Sequence, residues 1–82
     1  MSAGQLEAHA ILTRIVRALV RNPDAVNIEI RLAHTTTFVV TVAASDVAKV
    51  VGKQGATAKA LRTFLYAMGA QMKTPFALSI KS

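Results

Sequence analysis

The sequence predicts a two-layer α+β domain, ordered helix, strand, strand, helix, helix, strand, with a three-stranded mixed sheet covered by helices on one face. Three observations carry that prediction. Apolar residues recur at helical spacing in separate segments, and they alternate with polar residues in three others. The span from Ala44 to Thr74 between the second and third strands is long enough for a helical crossover, which lets those two strands run parallel. Every outward strand face carries Asn, Glu, Arg, Thr, Ser or Lys, so one side of the sheet is expected to face water and the helices to cover the other.

Met1 to Gln5 carry no periodic signal and are expected to be frayed, leaving a single domain over residues 6–82. Leu12, Ile15, Val16, Leu19 and Val20 then recur at helical spacing, with Glu7, Arg14, Arg17 and Arg21 on another face. Asn22-Pro23 ends this helix, because the residue before a proline is pushed out of the helical region. Val26, Ile28, Ile30 and Leu32 alternate with polar residues as a first strand. After a polar connection, Phe38, Val40 and Val42 give the second, and the pair makes a hairpin. Ser45-Asp46 reads as an N-cap with an acid in the first turn, leading into Val47, Val50 and Val51. That short helix stops at Gly52. The next begins near Gly55, carries Ala58, Leu61, Leu65 and Met68 on one side, and meets a C-terminal stop at Gly69. Phe76, Leu78 and Ile80 form the last strand.

Composition narrows the function. At 82 residues, 52% hydrophobic and 17% charged, the chain is too apolar for a disordered tail and holds one modest core. Its longest run without a charged residue, Leu32 to Ser45, falls short of the roughly 18–20 residues of a membrane span. Arg14 and Arg17 interrupt the apolar segment that a signal peptide would need, so a cytoplasmic protein is expected. There is no cysteine, and His9 and His34 lie far apart among scattered acids, so neither a metal site, a cofactor nor a catalytic triad is expected. No phosphate-binding G-x-x-x-x-G-K-[ST] motif is present, and an enzyme is not expected. The net charge is +6, and from Ser45 onward six basic residues face one acid. That asymmetry points to a polyanionic partner.

The chemistry concentrates in Gly52-Lys53-Gln54-Gly55, between the two later helices. Two glycines let the backbone turn sharply and approach a ligand. The amides of Gly55, Ala56 and Thr57 open the following helix, where unpaired N–H groups and the helix dipole favour a phosphate. Lys53 adds a charge at the tip. Lys59, Arg62 and Tyr66 share one helical face, and with Lys49 they extend an electrostatic track. Arg14, Arg17 and Arg21 read as a solubilising face. Phe38, Phe64 and Phe76 sit at core-like positions, which leaves Tyr66 as the one aromatic available for stacking.

The run Val50 to Thr63, an apolar pair, then G-x-x-G, then a helix bearing basic residues, resembles the K-homology (KH) domain, and the helix and strand ahead of the second strand match its type II arrangement. Length and the isolated single domain are similar to the small bacterial KH-domain RNA-binding proteins. The resemblance implies a non-enzymatic module for single-stranded RNA, an RNA chaperone or regulator. Gly52, Lys53, Gln54 and Gly55 would clamp the backbone of about four nucleotides, with Val50, Val51 and Ala58 lining an apolar groove for the bases. Many KH domains carry a larger aliphatic residue in place of Ala58 and a basic one in place of Ala56, which implies a shallower groove and one phosphate contact fewer. The resemblance also implies an alternative function as a protein-interaction subunit. Such a subunit would form a homodimer or pair with a second KH-containing protein in cell elongation or envelope control. A contiguous apolar patch on a helix, or on the open sheet around Val39, Ala43 and Ala77, would mark that alternative.

Overall fold

The computed structural model describes residues 1–81; Ser82, the last residue of the expected domain, lies outside the described residues. Among the described residues the order is α1 (Ala3–Leu19), β1 (Asn27–Arg31), β2 (Thr36–Thr41), α2 (Val47–Val51), α3 (Ala56–Met72) and β3 (Phe76–Lys81). The sheet order is β1-β2-β3. β1 and β2 form the antiparallel hairpin, with Ile28 opposite Val40 and Ile30 opposite Phe38. β3 lies parallel to β2, Phe38 beside Leu78, after the crossover through α2 and α3.

The alternation read in the sequence sorts the two sheet faces. Ile28, Phe38, Val40, Phe76 and Leu78 point into one core with Ala8, Leu12 and Val16 of α1, Val50 of α2, and Leu61 and Leu65 of α3. Phe38 and Phe76 meet edge to face, ring centroids 5.1 Å apart. The opposite face carries Asn27, Glu29, Arg31, Thr37, Thr41, Ser79 and Lys81. Val39 is the apolar residue at its centre and is only 3% exposed, between Glu29 and Ser79 on the neighbouring strands. Ala43 and Ala77 are half-buried. The apolar patch that would mark a partner surface on this face is therefore not there.

Several boundaries differ from expectation, each for a local reason. α1 begins at Ala3 rather than Leu6, because Ser2 and Gln5 form a capping box: Ser2 Oγ accepts from Gln5 N (3.1 Å) and Gln5 Oε1 accepts from Ser2 N (2.8 Å). Gln5 Nε2 also donates to Thr36 Oγ1 at 2.9 Å, which ties this first turn to the start of β2. His9, half-buried, donates from Nε2 to the Ile28 carbonyl at 2.7 Å and fastens α1 to β1.

The Ser45-Asp46 cap does not form; no side chain caps α2. Asp46 is instead completely buried, and its carboxylate accepts from Arg21 N (3.1 Å), Asn22 N (3.0 Å) and Asn22 Nδ2 (2.9 Å). The end of α1 and the start of α2 are latched together through these bonds. Burial alone would raise the carboxyl's pKa. The Asn22 amide, the two backbone N–H groups and the Lys49 charge outweigh it and hold the group below the usual carboxylate range.

Gly69 does not stop α3. The helix continues to Met72 and leaves through Lys73 in the left-handed conformation (φ 56°), with Thr74 N donating to Gly69 O and Lys73 N to Ala70 O, a Schellman ending. Gly69 is buried inside the helix because a Cβ there would stand 2.4 Å from the Thr74 carbonyl and 3.1 Å from the Phe76 ring.

Candidate nucleic-acid interface

α2 and α3 are separated by a loop that no ordinary helix could pass through. Gly52 has φ 78° and ψ 170°, Gln54 φ 56° and Gly55 φ 75°. The two glycines are needed for different reasons. A Cβ on Gly52 would lie 2.3 Å from Thr57 Oγ1 and 2.8 Å from Thr57 N, so the loop closes directly onto the first turn of α3. At Gly55 a Cβ would meet nothing within 4 Å, and only the left-handed backbone requires glycine. Thr57 is thus part of the loop's construction, a role that spacing alone does not reveal.

Lys53 and Gln54 stand exposed at the tip, with Gly52 and Gly55 half-buried beneath them. Two of the amides expected to await a phosphate are already used: Gly55 N donates to Gly52 O at 3.1 Å, and Ala56 N donates to Lys53 O. The turn therefore offers an anion the Lys53 side chain and fewer bare N–H groups than the sequence implies.

Of the expected groove residues, Val51 is half-buried and accessible. Val50 is not; it is 0% exposed and belongs to the core with Leu61 and Leu65, so, contrary to expectation, it has no surface to offer a base. The apolar pair puts one member inward and one at the surface. Ala58 is 3% exposed, so it offers a ligand little more than the edge of its methyl. Lys49 and Lys59 are exposed and Arg62 is half-buried. α3 contains no acidic residue, and the ion pairs among the described residues, Arg17–Asp24 and Arg31–Glu29, both lie in the first 31 residues of the chain. Among the described residues no carboxylate is paired to Lys49, Lys53 and Lys59, which are exposed, or to the half-buried Arg62. No cluster of potential metal ligands occurs among the described residues, and no described helix is long and apolar enough to cross a membrane.

A G-x-x-G loop joining two helices, set between a central strand and a parallel edge strand, with a further helix and strand ahead of them, defines a type II KH domain. Sequence comparison places it more closely: residues 9–80 match the KhpA/KhpB KH-domain family, and the chain belongs to that family. It is 37% identical over 70 residues to the RNA-binding protein KhpA of Chlamydia caviae, covering 84% of this chain and 90% of that one. It is 37% identical over 71 residues to KhpA of Listeria monocytogenes, and 39% identical over 71 residues to KhpA of Halalkalibacterium halodurans, covering in each case 85% of this chain and 93% of the relative. No solved structure matches the chain.

Proposed function

We propose that this protein is a non-enzymatic single-stranded RNA-binding module, an RNA chaperone or regulator, whose 52–55 loop grips the sugar-phosphate backbone. The observation that carries the reading is the loop itself: three of its four residues are held at positive φ, which thrusts Lys53 and Gln54 into solvent at the mouth of a helix free of acids. Lys49, Lys59 and Arg62 continue the positive surface, with Val51 and the edge of Ala58 as a shallow apolar floor. The relatives' description as RNA-binding proteins supports the same reading.

The test is titration of a labelled single-stranded RNA with wild type and with Lys53→Asp/Gln54→Asp. Two carboxylates at the turn repel the phosphate, and affinity should fall at least about tenfold, similarly for different sequences. Folding should survive, since aspartate tolerates the left-handed backbone that Gln54 adopts. Unchanged affinity in a folded double variant would remove the loop from the interface. Self-pairing, or pairing with a second KH-containing protein in cell-elongation or envelope control, has no support from the open sheet face, where Val39 at the centre is covered.

A further inference from the structure

The far end of α3 carries a feature that the loop does not use. A recess of about 430 Å³ opens where the helix ends and β3 begins, walled by Tyr66, Ala70, Lys73, Pro75 and Phe76. Its walls are mainly apolar. Tyr66 is 56% exposed, unusual for the largest side chain on a helix, and Lys73 is exposed at the rim. The recess exists because Gly69, on its floor, lets the Thr74 carbonyl and the Phe76 ring come up against the helix.

The recess also lies in line with the loop. At 100° per residue, Gly55, Lys59, Arg62, Tyr66 and Ala70 fall on one stripe of α3, and Lys73 follows at its end. Tyr66 is about 16 Å along the axis from Gly55, and Lys73 about 27 Å. A row of cations with an aromatic ring set in it and no carboxylate on the helix is the surface that a single nucleic-acid strand requires, because phosphates follow the cations and a base stacks on the ring. An apolar protein segment would find the same recess guarded by lysine and arginine along its whole approach.

We propose that this recess is a second RNA subsite, in which one base of the strand stacks on Tyr66 against Pro75, over a floor closed by the buried Phe76, while Lys73 holds a neighbouring phosphate. The proposal rests on the loop as the first contact and deepens it: the bound strand runs along α3 and is longer than the roughly four nucleotides that one G-x-x-G clamp spans.

The experiment compares labelled uridine strands of about four and about ten nucleotides, within the range of single-strand site sizes, against wild type, Tyr66→Ala, Tyr66→Phe, Lys73→Gly and the double aspartate loop variant. Tyr66→Ala should weaken the longer strand about tenfold and leave the shorter one unchanged, whereas Tyr66→Phe should bind like wild type. Lys73→Gly should lower the salt slope for the longer strand by about one contact's worth. The loop variant should weaken both strands. The subsite is overturned if Tyr66→Ala leaves the longer strand unaffected or weakens both strands equally. It is also overturned if that substitution changes the sedimentation coefficient, which would make the face a protein interface. A loop variant that binds both strands as wild type does would overturn the loop reading alone, and absence of any RNA binding by wild type would overturn both.

Discussion

The two ends of α3 are built from the same backbone device and put it to opposite use. Each has residues in the left-handed region, Gln54 and Gly55 at the start and Lys73 at the finish, and each presents a lysine to solvent. At the start, Gly52 lies against Thr57 and the chain turns outward, leaving a bare tip. At the finish, Gly69 admits the returning chain and the turn folds inward, leaving a recess. A missing Cβ is used at both ends, but what occupies its space differs: the next helix's own first turn in one case and the next strand in the other. A glycine in a helix-turn-helix segment therefore has to be read with the element that packs onto it.

Alanine at each glycine tests that contrast. The largest loss is expected for Gly52→Ala, where an unfavourable φ combines with contacts to both the side chain and the backbone of Thr57, and stability should fall by about 3 kcal/mol. Trimming the neighbour in Gly52→Ala/Thr57→Ala should recover only part of the loss, because Thr57 N remains 2.8 Å away. Gly69→Ala comes next. Alanine gains up to about 1 kcal/mol of helix propensity over glycine, but the clash with the Thr74 carbonyl is with backbone and cannot be relieved by a rotamer, so a net loss of about 2 kcal/mol is expected. Thermal or urea unfolding measures both. If Gly69→Ala stabilises the protein, α3 and β3 are not in the contact described.

Acid should separate the α1–α2 latch from both ends of α3, neither of which holds a carboxylate. Asp46 has a lowered pKa in the folded state, so the unfolded chain binds its proton first as pH falls. Its stabilisation is complete at neutral pH and drains away below about pH 4, through the depressed folded value. Asp46→Asn should lower the melting temperature at pH 7, because the new amide turns donors toward donors at Arg21 and Asn22, and that deficit should shrink in acid. A deficit that is constant with pH would mean that the carboxylate's charge plays no part. Smaller again, Gly55→Ala should cost only about 1 kcal/mol, the strain of a left-handed alanine in open space.

Much of this molecule was legible in its sequence, and what escaped follows a pattern. The three strands and α1 were visible because alternation and helical spacing are local properties, and the G-x-x-G loop because glycines at that spacing sat between two helical patterns. Gly69 read as a stop because its reason lies in Thr74 and Phe76 folding back over it, which no periodicity records. Asp46 read as part of a cap because capping is the commonest local use of an acid before a helix, while its partners Arg21 and Asn22 come from a distant turn. Of the pair Val50-Val51, sequence could not say which member faces inward. The Ser2-x-x-Gln5 box, by contrast, was there to be read, and the absence of apolar periodicity over those residues concealed it.

The smallest expected effect bears most directly on the closing end of α3. Lys73 occupies a position where glycine is the usual residue, and a lysine there pays roughly 1 kcal/mol of left-handed strain. Part of that is offset, because a cation at a helix C-terminus is favourable by about 0.3–1 kcal/mol and glycine loses more entropy on folding. Lys73→Gly should therefore raise stability slightly, by about 0.5 kcal/mol, or roughly 2–4 °C in melting temperature. If Lys73 contributes only to folding, the variant is a plain improvement. If it serves the recess, the same variant should bind a long RNA strand more weakly while melting later, so that stability and binding move in opposite directions. Gln54→Gly supplies the counterpart at the opening end, where relief of the same strain should again stabilise, but any loss of RNA affinity should appear with short strands as well as long ones. Equal dependence on strand length in the two variants would mean that the ends of α3 do not differ in function as they differ in construction.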